Sequence, residues 1–175
     1  MAKPEVPIEV DSKTGVWSTD GLPMMYIPRH FFVNNHKAVE EALGVEAYAA
    51  GLYDAGYRSA YFWCEKEAAT HGLSGIDVFR HYMKRISQRG WGQFTVLEAD
   101  PSTGRARVQV DHSVFVLEYG TNAGRKVCYM YTGWLSGALE WVGENLGHNY
   151  KLTCAERACA ADGRSDHCLL GVTPA

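Results

Sequence analysis

The sequence predicts an α+β domain, a helical layer packed on an antiparallel sheet. Three observations predict it. Between Lys37 and Gly90 apolar residues recur at three- and four-residue spacing, the period of helices that bury one face. From Gln93 to Asp111, "QFTVLEADPSTGRARVQVD" alternates apolar and polar residues on both sides of an Asp-Pro-Ser-Thr-Gly turn, which reads as a β-hairpin. Near the C-terminus "YKLTCAER" and "HCLLGVT" flank the polar turn "ADGRSD" and read as two more short strands.

The elements follow in chain order. Residues 1–36 carry prolines at 4, 7, 23 and 28 and a "DSKTG" turn, so they read as strands and turns, with "VWSTDG" and "MMYIP" extended. Residues 37–90 read as helices, divided at Gly44. Ser74 is a candidate N-cap for the last of them, with Ile76, Phe79, Met83 and Ile86 on one face and Gly90 as its stop. Gly51 and Gly56 each cost about 1 kcal/mol against alanine inside a helix, so they mark close helix–helix approach. Residues 91–175 hold the sheet, a long helix and a C-terminal hairpin. In that helix, "CYMYTGWLSGALEWVGENLG", Met130, Trp134, Leu135, Ala138, Trp141 and Val142 face inward. "FVLEYG" fits either a strand or a helical turn. The whole chain, 1–175, reads as one domain, since it shows no repeat, low-complexity tract or linker.

Composition narrows the function. With 46% hydrophobic and 21% charged residues, the chain reads as an ordinary globular protein. A net charge of -3 and the lack of a basic run argue against direct contact with nucleic acid. The start, "MAKPEVPIEV", lacks the charged and apolar regions of a signal peptide, and no apolar stretch approaches a membrane span. A cytoplasmic location is therefore expected, where thiols stay reduced. Five cysteines, an odd number, fit a disulfide framework poorly.

Clustered cysteines in a reduced compartment point to metal or redox chemistry. If the last two strands pair, Glu156 and Cys159 close one arm while His167 and Cys168 open the other. Cys128, at the start of the preceding helix, is a candidate further thiolate. Zinc takes four such ligands tetrahedrally, and a site closed by four protein ligands is structural. Set against this, buried cysteines also serve as small apolar fillers. Cys64, beside Trp63 in a helix, reads as core. Cys154, on a strand, reads as core or pocket.

The stretch "CYMYTGWLSGALEWVG…YKLTCAERACAADGRSDHCLL" resembles the end of the 4-vinyl reductase domain. That family also supplies the sensory domains of bacterial activators responding to phenol and xylene. Cys128, Gly133, Ser136, Gly137, Glu156, Cys159, Gly163 and Cys168 fall on its pattern. "TGVWSTDGLPMMYIP", "LGVEAYAAGLYDAGYRSA" and "GQFTVLEA" resemble its earlier segments, so the likeness covers nearly the whole chain. It implies a ligand-binding α+β fold shared with nitric-oxide-signalling and vesicle-tethering subunits, usually dimeric through its helices. It implies zinc held by Cys128, Glu156, Cys159 and Cys168. The gap from Cys159 to Cys168 is one residue longer than usual, which puts His167 at the expected spacing as a possible substitute. Cys168 is preferred as the softer donor and because the "CLL" strand follows it.

The resemblance further implies an apolar pocket for a small hydrophobic or aromatic molecule, walled by Phe94, Thr95, Val110, Tyr131, Trp134, Ala138 and Cys154. The hydroxyl-fixing histidine and tryptophan of phenol sensors align with Thr95 and Val110, and two tyrosines with Ala138 and Cys154. Phenol is therefore not the expected ligand; a larger pocket, a less polar occupant and a closed pocket all stay open. No dinucleotide fingerprint is present. His112, next to Asp111, is the best candidate acid–base group, although histidine after aspartate in a strand is commonplace. These observations favour a zinc-containing sensor module acting through a partner. The alternative is a non-catalytic accessory subunit of a metabolic oxidoreductase, a demethylase or reductase complex.

Overall fold

The computed structural model describes residues 5–175; residues 1–4 of the N-terminal segment lie outside the described residues. Three short strands, β1 (Glu9–Val10), β2 (Trp17–Thr19) and β3 (Leu22–Met24), pair antiparallel in a small meander. Helices α1 (Arg29–Leu43), α2 (Val45–His71) and α3 (Ile76–Gln88) follow. The hairpin of β4 (Gln93–Asp100) and β5 (Arg105–Asp111) leads through α4 (Val114–Tyr119) to α5 (Met130–Asn145). The chain ends in β6 (Leu152–Ala158), a short 3-10 turn (Ala160–Asp162) and β7 (Cys168–Pro174). The main sheet is antiparallel in the order β4-β5-β7-β6, so the fold is α+β as the sequence predicts.

Two local readings differ from the structure, and one left open is decided by it. The first helix begins at Arg29, not near Lys37, because Val33 and His36 bury a face of it that Asn34 and Asn35 hide in the sequence. Pro28 precedes it in an extended conformation, as a residue with a fixed φ and no N–H suits a helix start. The cap of α3 is Gly75 rather than Ser74, since the backbone there takes φ 57° and ψ -143°, a region that essentially only glycine adopts. "FVLEYG" is helical, and the Ser113 hydroxyl caps it by accepting from the Phe115 N–H at 3.3 Å.

Helix α5 forms the middle of the molecule. Every residue from Tyr131 to Gly143 is buried, which a helix apolar on all sides requires. The helix packs against α2 and α3 and against β6 and β7. Gly133 and Gly137 make the α2 contact possible: a Cβ on either would collide with the backbone carbonyl of Tyr53 or Tyr57. A Cβ on Gly56 would meet the Trp134 side chain at 2.7 Å, whereas Gly51 faces open space. Close helix approach is thus internal at three of these glycines, and Gly51 marks none, so the glycines carry no argument for a dimer.

The sheet turns Phe94, Val108, Val110, Cys154, Glu156 and Leu170 inward. Thr95, next to Phe94, is exposed on the opposite face, as strand alternation demands. Among the described residues no helix is long and apolar enough to cross a membrane.

Candidate metal centre and adjoining cleft

Cys128, Glu156, Cys159 and Cys168 converge at one corner of the sheet. Cys128 lies in the loop before α5, and its N–H donates to both Glu156 oxygens at 3.2 and 3.1 Å. Glu156 projects from the inner face of β6, just before a register shift in its pairing with β7. That irregularity, and the following 3-10 turn ended by Gly163 in a left-handed conformation, bring Cys159 round to the same point. Cys168 opens β7 opposite Val110, and its sulfur accepts from the Ala160 N–H at 3.4 Å.

The sulfurs of Cys128 and Cys168 are 3.3 Å apart and those of Cys168 and Cys159 3.5 Å. One donor atom from each of Cys128, Glu156, Cys159 and Cys168 lies within 4.8 Å of the others. All five cysteines are free thiols. Tetrahedral zinc with bonds of about 2.3 Å sets its sulfurs about 3.8 Å apart, a few tenths beyond this spacing. His167 stands outside the group: its Nδ1 pairs with Asp166 at 2.7 Å and its side chain is a third exposed.

Protonation chemistry describes what the corner lacks. The three cysteines are 0% exposed and Glu156 is 9% exposed, so charge here is expensive to bury. Burial, then Cys159 beside it, push the Glu156 carboxyl up to about 9. Hydrogen bonds from Cys128 and Cys168 hold the Cys159 thiol far below its ordinary range, while Cys159, Cys168 and burial push Cys128 far above it. Four acidic donors thus share little negative charge. A divalent cation supplies the positive charge that lets all of them ionise, so the donor set fits zinc.

A hydrogen-bonded chain leaves this corner. The Ser113 hydroxyl lies 3.1 Å from the Cys128 sulfur and 3.1 Å from the Tyr131 hydroxyl. Tyr131 also reaches the Trp91 carbonyl at 2.7 Å, which accepts from the Val114 N–H as well. Trp91 and Val114 wall a largely apolar cleft of about 530 Å³, together with Met24, Tyr26, Phe32 and Met130. Arg29 and Arg89 line it as well.

The expected pocket residues are mostly packed against one another. Val110, Tyr131 and Ala138 are at most 1% exposed, and Phe94, Trp134 and Cys154 at most 8%. Tyr131 meets Phe94 edge-on at 5.1 Å and Trp134 at 5.2 Å, and Trp134 meets Trp91 at 4.9 Å. These side chains fill the space between α5 and the sheet, and Thr95 is on the outer face. The opening is one layer further out, beyond Trp91. Met24–Ile27 do not declare themselves as lining residues in the sequence because an extended apolar run has no helical period to mark its face, and Phe32 does not because it sits in the first turn of α1, ahead of the helical pattern the sequence shows. The proline-bracketed "PMMYIP" is the signal the sequence offers there. His112 is exposed at the end of β5, with φ 53°. Cys64 is buried within α2.

The fold matches solved structures. The phenol-responsive sensory domain of the transcription activator PoxR, with phenol, superposes with a TM-score of 0.78 at 16% identity, over 95% of this chain and 84% of that one. A trafficking protein particle complex subunit 3 from Naegleria fowleri, covalently bound to palmitic acid, gives 0.59 at 14% identity over 84% and 92%. A vinyl-4-reductase family protein from Methanocaldococcus jannaschii gives 0.55 at 15% over 87% and 84%. No curated protein matches the sequence. Residues 2–97, more than half of the chain, match the family described as a domain of unknown function, DUF5943, and the chain belongs to that family.

Proposed function

We propose that this protein is a zinc-braced sensor module that binds a small apolar or aromatic molecule and acts through a partner. Cys128, Glu156, Cys159 and Cys168 would hold the ion. Bound there, zinc supplies fixed charge and a cross-link between the loop before α5 and the β6–β7 hairpin, and four protein ligands leave it no position for substrate. The observation that carries the reading is the chain Cys128–Ser113–Tyr131–Trp91, which ties the metal corner to the wall of an apolar cleft. A ligand that displaces Trp91 would pull on the Tyr131 hydroxyl and, through Ser113, on a metal ligand. The likeness in fold to a phenol-responsive sensory domain supports the same reading. The cleft suits an apolar occupant, with Arg89 available to orient a polar end, Arg29 being paired with Glu118 at 2.6 Å.

A thermal-shift screen of aromatic and aliphatic compounds tests it. A true ligand at 100 times its Kd stabilises by about 2.7 kcal/mol, and Trp91→Ala should remove that gain while zinc is retained. A compound that stabilises the variant as much as the native protein would place the ligand elsewhere.

The accessory-subunit reading rests on a different observation. Met25 and Tyr26 are each 84% exposed and Phe31 61%, an apolar strip beside the cleft of the kind that marks interaction surfaces. A partner oxidoreductase or a second copy of the chain would cover it. Co-purification with oxidoreductase subunits supports the first, and sedimentation at twice the 19.4 kDa chain mass supports the second.

A further inference from the structure

A second group of metal-binding side chains lies between α2 and α3 and shares no residue with the cysteine centre. Glu67, on α2, is 0% exposed. Its Oε2 meets the His81 Nε2 at 2.9 Å and the His71 Nε2 at 3.2 Å. Its other oxygen, Oε1, is buried with no hydrogen-bond partner. Glu67 and His71 are four residues apart on α2 and share a helix face, while His81 reaches across from α3. Trp63 stacks on the His81 ring at 5.7 Å and fixes its plane. One donor atom from each of the three lies within 4.8 Å of the others.

The surroundings account for only part of this arrangement. Asp20, in the turn between β2 and β3, is 3.6 Å from His71, but Arg85 already pairs with it at 3.1 Å. Arg85 Nε lies 3.9 Å from Glu67, beyond hydrogen-bond reach, and is itself buried without a partner. Arg89 stacks over Trp63 with Nε and Nη2 unpartnered. Glu67 is therefore a buried carboxylate that two imidazoles approach from one side and no donor satisfies on the other.

We propose that Glu67, His71 and His81 form a second metal site, which takes a divalent first-row transition ion through one carboxylate oxygen and two imidazole nitrogens and clamps α2 to α3. Imidazole and carboxylate suit zinc and its neighbours in that row. Three protein ligands leave a position open, toward His71, whose side chain is 30% exposed. The charge of Arg85 beside the site weakens cation binding, so this ion is released by chelator before the one at the cysteines.

Cobalt(II) is the probe, because the two centres give different spectra. Native protein loaded with zinc and treated with a mild chelator, then titrated with cobalt, should take up about one further equivalent. That uptake should give weak visible bands without thiolate charge transfer. His81→Gln, which keeps a polar side chain near Glu67, and His71→Ala should each abolish that uptake while circular dichroism stays native. Arg85→Gln should tighten it several-fold. Uptake that survives both histidine substitutions, or native protein that takes cobalt with thiolate bands alone, overturns the proposal. Thiolate bands that are normal while this uptake fails would leave the cysteine centre standing.

Discussion

The cysteine corner and the apolar cleft stand at opposite ends of the Cys128–Ser113–Tyr131–Trp91 chain and are built in opposite ways. At the corner, three donors from thirteen consecutive positions and a fourth from the loop before α5 meet out of water, with Cys128, Cys159 and Cys168 all 0% exposed. At the cleft, side chains from β3, α1, the loop before β4 and α5 meet at the surface, and Tyr26 is 84% exposed. The corner has too little charge and, once metallated, nothing left to exchange. The cleft has apolar surface facing water and something to gain from an occupant. The difference suits one end to hold the fold and the other to respond.

The largest effect should come from breaking the corner. Losing a structural metal ranks with the few changes that exceed about 4 kcal/mol. At about 2–4 °C per kcal/mol for a chain of this size, Cys159→Ala should lower the melting temperature by roughly 8–16 °C and release the zinc. Cys64→Ala, at an equally buried thiol in α2, should cost only a typical core truncation of about 1 kcal/mol. Equal losses in calorimetry would reduce Cys159 to a packing residue.

Cutting the chain between the two ends is the middle case. Tyr131→Phe removes one hydroxyl but leaves the Trp91 carbonyl its bond from the Val114 N–H, so stability should fall by only about 0.5–1.5 kcal/mol. Zinc should stay and cleft ligands should still bind. Their effect on the kinetics of zinc release to a chelator should disappear. If ligands still alter release in the variant, the corner and the cleft communicate by another route.

The smallest effect is on acid sensitivity at the cleft side. His36, on α1, is 1% exposed among Phe32, Tyr48, Phe115, Tyr119 and Tyr129. Burial lowers its pKa from 6.5, with Arg125 and Lys37 adding to the shift and Glu40 opposing it. The unfolded chain therefore takes up this proton first, so stability is full above about 6.5 and falls as pH drops through that value. Glu40 acts lower down: burial opposes its ionisation, but Arg125 and Tyr119 hold its carboxyl below 4.5, and its contribution fades as pH falls past that range. Urea midpoints from neutral to mildly acidic pH should show a shallower decline in His36→Gln than in the native protein. Parallel curves would remove His36 from this account.

Legibility in the sequence followed the same division. The β4–β5 hairpin, the break at Gly44 and an inward side of α5 could be read because period and turn chemistry are local signals, whereas the burial of α5 from Tyr131 to Gly143 on every side could not. The corner could be singled out as a candidate group because Glu156, Cys159, His167 and Cys168 lie within thirteen positions, while the set of four ligands with Cys128 followed from the family resemblance. The cleft could not, since it depends on where β3 and α1 are carried by the whole fold, and Asn34 and Asn35 concealed the start of α1. Nor could sequence alone decide between His167 and Cys168, adjacent residues at almost equal spacing. Strand geometry separates them, turning Cys168 inward and leaving His167 to Asp166.

That last pair offers the most direct test of the central claim, a zinc ion held by three thiolates and one carboxylate. Cobalt(II) should be substituted for zinc in native protein, His167→Ala and Cys168→Ala, and the thiolate-to-metal charge-transfer absorption compared. The full band is expected in native protein and in His167→Ala, and about two-thirds of it or less in Cys168→Ala. A band that is lost with His167 and kept without Cys168, or absent from the native protein, would contradict it.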